Sequence, residues 1–180
     1  MPPLTRVIQT GVSSVRIIGE KSFEPNVEND MSGYNKIVVA IDLSSESAII
    51  MRRAKDVAAP HSDMHLLYVQ EPMDSVYMGV VPYGPVFVGM DEVEENLRSE
   101  LKQKLDTIGE EFNIPPESRH FLNGTPAREI HRFADENGME LIVLGTHGQK
   151  GVQLLLGATA NSVLHGADCD VLAVRVYDAD

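Results

Sequence analysis

The chain has 180 residues, 43% of them hydrophobic and 23% charged, which is ordinary globular composition with length enough for one domain and a sizeable core. Its formal net charge of -12 argues against a nucleic-acid backbone as partner, since binding one needs a basic face; a bound nucleotide must then be held by local donors. The single cysteine, Cys169, excludes an internal disulfide framework. There is no apolar run of membrane-spanning length and no signal-peptide pattern, so a cytoplasmic protein without a membrane partner is expected.

Residues 1–33 differ from the rest. Val7-Ile8 and Val15-Arg-Ile-Ile18 are short apolar pieces without sustained periodicity, and Ser22 to Asp30 is a mostly polar spacer. The stretch before Glu20 lacks acid and carries Arg6 and Arg16, a weak transit-peptide signal. A disordered extension is expected here, with Met31 as an alternative initiator. The globular unit is expected over residues 34–177, and 178–180 form a tail.

Asn35 to Asp42 is the first expected strand; its core is a nearly continuous β-branched run, as in a parallel strand buried on both faces. Ser44 or Ser45 caps a helix that Pro60 stops, with Ile50, Ala54, Val57 and Ala58 on its apolar face. His65 to Val69 is the second strand. The connection from Glu71 to Met90 is too apolar for a solvated loop; a flap on its own domain and a lid or docking surface are both open readings. From Asp91 a long amphipathic helix carries Val93, Leu97, Leu101, Leu105, Ile108 and Phe112 on one stripe, with acidic outer faces.

Ser118 to Asn123 reads as a weaker third strand, nearer an edge. Thr125-Pro126 then places an N-cap before proline at the first helical position. Ile130, Phe133 and Ala134 mark that helix's buried face, and Gly138 ends it. Leu141 to Leu144 is the fourth strand. The glycine-rich stretch Gly145 to Thr159 follows, then a helix up to Gly166, and Asp170 to Val176 is the fifth strand. Cys169, at the head of that last apolar run, reads as a buried and inert thiol.

A helix separates each strand from the next. The fold class is therefore α/β, an open doubly wound five-stranded parallel sheet with helices on both faces. In order 3-2-1-4-5 the first and fourth strands are adjacent where the order reverses, and the crevice lies beyond their carboxyl ends. Those ends carry Asp42 and Gly145. Backbone N–H groups near Gly145 and Gly148 can approach phosphate oxygens because no Cβ intrudes. Gly157, Ala158 and Thr159 lie at a helix start, where unpaired donors and a partial positive charge favour an anion. Asp42 can accept from a ribose hydroxyl or a base amino group, or cap the following helix. Val69 can contact the base, or be core. His147 reads as holding the turn rather than as a catalyst, and Lys150 as solvated. Neither a P-loop nor a dinucleotide fingerprint is present.

These residues resemble the universal stress protein family over about Tyr34 to Val176. The likeness rests on Ile37-Val-Val-Ala-Ile-Asp42, Leu66-Leu-Tyr-Val69, Gly145-Thr-His-Gly148 with Gly157-Ala-Thr159, and Asp170-Val-Leu-Ala-Val-Arg175. It implies the fold above, of the adenine nucleotide alpha-hydrolase-like (HUP) type. It implies ATP or AMP as ligand, with Mg2+ as an optional companion, and a homodimer through the last strand, Val171 to Val176. It places Ala40, Ile41, Asp42 and Val69 on the nucleoside side. Leu144, Gly145, His147, Gly148, Gly157, Ala158 and Thr159 fall around ribose and phosphates.

Two departures stand out. The family's ATP pattern has nine residues between the glycines matching Gly148 and Gly157, whereas Gln149 to Leu156 makes eight. Ala158 replaces the usual Ser or Thr, a loss of about 0.5–1.5 kcal/mol if that hydroxyl donates. The expected function is a nucleotide-binding stress-response regulator. The alternatives are an interaction module with an empty crevice and a slow ATPase; no catalytic residue or bound metal is expected.

Overall fold

The computed structural model describes residues 6–10, 14–18, 33–72, 90–146 and 157–175. In chain order these form β1 (Arg6–Thr10), β2 (Ser14–Ile18), β3 (Tyr34–Ile41), α1 (Ser47–Val57), β4 (Ala58–Gln70), α2 (Met90–Glu111), β5 (Arg119–Asn123), α3 (Pro126–Asn137), β6 (Leu141–Gly145), α4 (Ala158–Gly166) and β7 (Asp170–Val174). A 3-10 turn, Pro116–Ser118, leads into β5.

All the strands join one sheet in the order β1-β2-β7-β6-β3-β4-β5. From β5 to β7 every pairing is parallel. The five expected strands therefore take the expected order 3-2-1-4-5, with β3 and β6 adjacent at the reversal. The run of β-branched residues in β3 explains its central place: Ile37, Val38 and Val39 are fully buried, because helices cover both faces of the sheet.

Alternation along the strands sorts the core into two layers. Ile37, Val39 and Ile41 pack with Ile50 and Met51 of α1 and Leu105 of α2. Val38 and Ala40 pack with Ile130 and Phe133 of α3 and Ala160 and Val163 of α4. The sheet thus separates an α1/α2 side from an α3/α4 side. Gly109 of α2 leaves room for a close approach by the Arg119 side chain, which a Cβ there would have to displace. That guanidinium donates from Nε to Ile114 O at 2.9 Å and fills the space left by the missing side chain.

Three expectations change at the N-terminal side. Residues 6–10 and 14–18 are strands rather than part of a disordered extension. β2 pairs antiparallel with β7, from Ser14 opposite Val174 to Ile17 opposite Val171. The outer edge of the last strand, expected to face a second copy, is thus occupied from within the chain; an apolar edge strand is covered by backbone pairing. Third, α1 begins at Ser47 with Glu46 at its N-cap position, not at Ser44 or Ser45. Both hydroxyl and carboxylate groups just before it are used in earlier turns. The Glu71–Met90 connection falls at residues 73–89 outside the described residues, as do Val176 and the C-terminal tail.

Cys169 is partly buried against the α3/α4 core. Burial foremost, then the nearby carboxylates of Asp170 and Asp135, pushes its thiol up to about 11. At pH 7.5 its thiolate fraction is below about one in a thousand, and thiolate is the reactive form. A colorimetric disulfide reagent should therefore label the native chain far more slowly than the denatured chain. Equal rates would show that the thiol is not held in this environment.

Candidate functional site

The register of β3 on β6 runs from Ile37 opposite Leu141 to Ala40 opposite Leu144. Continued by two residues, it brings Asp42 and Thr146 side by side as both strands end. Ala40, Ile41 and Leu144 are buried beneath this rim, while Asp42 and Gly145 are half-buried upon it. On the other side of β3, Ile41 lies opposite Tyr68, so Val69, one residue before the end of β4, lies at the level of Asp42. Val69 is partly buried and packs against the α3/α4 core, as its core reading expected. The carboxyl ends of three neighbouring strands thus carry Asp42, Gly145 and Val69.

Asp42 is set by local turns. Its Oδ1 accepts the Ser44 N–H at 3.0 Å, and Ser44 Oγ in turn accepts the Glu46 N–H at 3.3 Å. Between them Leu43 has φ of +59°, a left-handed conformation that branched side chains rarely adopt. The carboxylate therefore caps a turn before α1 rather than α1 itself. Tyr68, half-buried on the adjacent strand, has its phenol pKa raised by burial first, then by the negative charges of Asp42 and Glu71. That places an uncharged hydroxyl in the field of Asp42.

The glycine stretch is clasped at its neck. Gly145 pairs with Val174, and Thr146 N–H donates to Val174 O at 2.9 Å. Gly157 N–H then donates to Thr146 O at 2.7 Å, and Asn161 N–H closes the first helical bond to Gly157 O at 2.8 Å. The Gly157 amide, at the helix start, is thus committed to Thr146. The helical donors left ahead of the first α4 bond belong to Ala158, Thr159 and Ala160. Ala158 and Thr159 are exposed, while Ala160 and Val163 anchor the helix in the core. Among the described residues no side chain caps α4, and its N-terminus carries a partial positive charge. His147, Gly148 and Lys150 lie outside the described residues.

Sequence reasoning missed three features of this rim. Thr146 sits in the motif and could have been singled out as the residue after the strand. Tyr68 is visible only through its register with Ile41. The left-handed Leu43 has no sequence signal, because nothing in leucine favours that conformation. Among the described residues, no group of three or more His, Cys, Asp or Glu is arranged to hold a metal ion, and no helix is long and apolar enough to cross a membrane.

Comparison with known proteins agrees with this architecture. Residues 33–175 match the model of the universal stress protein family. Universal stress protein A homolog 2 of Coxiella burnetii is 38% identical over 148 residues, covering 81% of this chain and 98% of that protein. Homolog 1 of the same organism is 36% identical over 142 residues, covering 78% and 96%. Among solved structures, the universal stress protein UspA from Lactobacillus plantarum superposes with a TM-score of 0.62 at 23% identity, covering 80% of this chain and 99% of its own. The hypothetical protein MJ0577 gives 0.60 at 21% identity, covering 81% and 99%. The two structures share the fold, and the family match spans all five strands of the described parallel sheet. The chain belongs to the universal stress protein family.

Proposed function

We propose that this chain binds an adenine nucleotide, AMP or ATP, beyond the carboxyl ends of β3 and β6, and serves as a stress-response regulator rather than a turnover enzyme. The observation that carries this reading is the convergence of Asp42, Gly145 and the start of α4 on one rim. An acceptor for sugar or base hydrogen bonds and a set of backbone donors for phosphate stand on adjacent strands, as nucleotide recognition requires.

In this reading Ala40, Ile41, Asp42 and Val69 serve the nucleoside. Leu144, Gly145, His147, Gly148, Gly157, Ala158 and Thr159 surround ribose and phosphates. Gly157 contributes its missing Cβ and the clasp to Thr146 instead of a donor. The N–H groups of Ala158 and Thr159 and the Thr159 hydroxyl supply donors, and the α4 dipole adds about 0.3–1 kcal/mol for an anion. Mg2+ enters only as an ion carried by the phosphates of ATP. A homodimer through Val171 to Val176 belongs to this reading only for a chain whose β2 has left β7.

Calorimetric titration with AMP, ADP, ATP and UMP tests the proposal, together with mass spectrometry of small molecules released when the purified chain is denatured. Saturable one-to-one binding of an adenine nucleotide, with UMP weaker, is the expected result. Absence of saturation at millimolar nucleotide would overturn it in favour of the interaction-module reading. Sustained ATP turnover would favour the ATPase.

A further inference from the structure

On the α3/α4 side of the sheet, away from the rim, two imidazoles meet. His65 Nδ1 of β4 lies 2.9 Å from His120 Nε2 of β5, and the rings stack at 5.1 Å between centroids. The other nitrogen of His65, Nε2, lies 3.2 Å from Asp63 Oδ1. Phe133 of α3 closes over both rings, with centroids 5.7 Å from His65 and 4.5 Å from His120. The His65 side chain is 15% exposed.

The hydrogen-bond geometry limits how many protons this arrangement can hold. With both rings neutral, His65 Nε2–H donates to Asp63, and His65 Nδ1 accepts from His120 Nε2–H. One added proton keeps the bond between the rings, because one facing nitrogen still has its lone pair. A second added proton puts N–H groups on both facing nitrogens, which then have no acceptor between them and carry like charge. We propose that Asp63, His65 and His120 form an acid-sensitive latch between β4 and β5 beneath Phe133 of α3, closed with up to one added proton and parted by the second.

The groups around the pair come from each element packed against it. Asp63 is the anion facing the pair, and it is already engaged by His65. Lys36 of β3, in register with Asp63, adds positive charge and donates to Asn137 O at 3.3 Å. From α3 the residues buried toward the sheet are Ile130, Phe133 and Ala134. The acids Glu129 and Glu136 are paired with Arg132, and His131 Nε2 is turned to Val163 O at 3.0 Å. Arg119 of β5 is held by Ile114 O and the α2 carboxylates of Asp106 and Glu110. Burial foremost, then His65, lowers the His120 pKa.

The sign follows from linkage. A histidine with a lowered pKa holds fewer protons folded than unfolded below the ordinary value of about 6.5. Stability is therefore full above that pH and falls as pH drops through it.

Imidazole NMR of the full chain from pH 8 to pH 5 tests this, with denaturant unfolding at pH 7.5 and 5.5 for the parent and His120→Gln. A glutamine amide can still donate to His65 Nδ1 but takes up no proton. The expected result is a coupled two-step titration of His65 and His120. The acid-induced rise in the unfolding constant should be about fivefold larger in the parent than in His120→Gln. Independent one-site curves at the ordinary histidine value would overturn the latch, as would an equal acid response in the variant. Ring signals that shift with micromolar Zn2+ and return with chelator would overturn it in favour of a metal site. The NMR titration needs no variant, so a His120→Gln chain that fails to fold leaves the test intact.

Discussion

Replacing Asp42 by alanine should weaken adenine nucleotide binding about 10- to 100-fold, since a hydrogen bond to a charged group contributes about 1.5–3 kcal/mol. The carboxylate is the acceptor on the rim of β3, and its Oδ1 is fixed by the Ser44 N–H. Alanine therefore removes two things, the acceptor proposed for the nucleoside and the cap that orients the turn. Asp42→Asn separates them, because an amide oxygen can still accept from Ser44 while the charge is gone. Asn should bind with intermediate affinity and melt close to the parent, whereas Ala should lose affinity and about 1 kcal/mol of stability as well. Calorimetric titration and thermal melting of both variants measure the split. Unchanged nucleotide affinity in Asp42→Ala would remove this residue from the site.

The second large effect concerns the sheet. Ile142 of β6 is fully buried between β3 and β7 with helices on both sides. Ile142→Ala should cost about 2–5 kcal/mol, the lost transfer energy plus the cavity left behind. For a chain of this length that lowers the melting temperature by about 4–20 °C. Ile49 supplies the control: it is the same residue type, 37% exposed on α1, and Ile49→Ala should stay within about 0.5 kcal/mol. Equal melting shifts in the two variants would contradict the burial described for β6.

Much of this architecture is written locally. The β-branched run of β3 marks a strand buried on both faces, and the strand–helix alternation implies a parallel sheet. The convergence of Asp42 with Gly145 then follows from where the strand order reverses. The polar, short β5 takes the edge that its composition suggests, and Gly138 ends α3 in the left-handed conformation that glycine permits, with φ of +62°. What was not legible depends on distant partners. Arg6–Thr10 and Ser14–Ile18 lack sustained alternation, and their strands exist through pairing with each other and with β7. The His65–His120 contact joins residues 55 positions apart, which no local pattern announces. The start of α1 was misplaced because Asp42 and Ser44 spend their side chains on successive turns before the helix begins. The tie from the Gly157 N–H to Thr146 O is likewise set by a contact across the stretch, not by the helix start alone.

That last contact fixes both ends of the glycine stretch. Thr146 and Gly157 are tied together, so whatever path the ten intervening residues follow, they depart and return at one point. Lengthening or shortening that excursion by one residue alters its closure entropy only slightly and displaces neither post. The spacing between its glycines can therefore change while the strand and helix on either side stay in place.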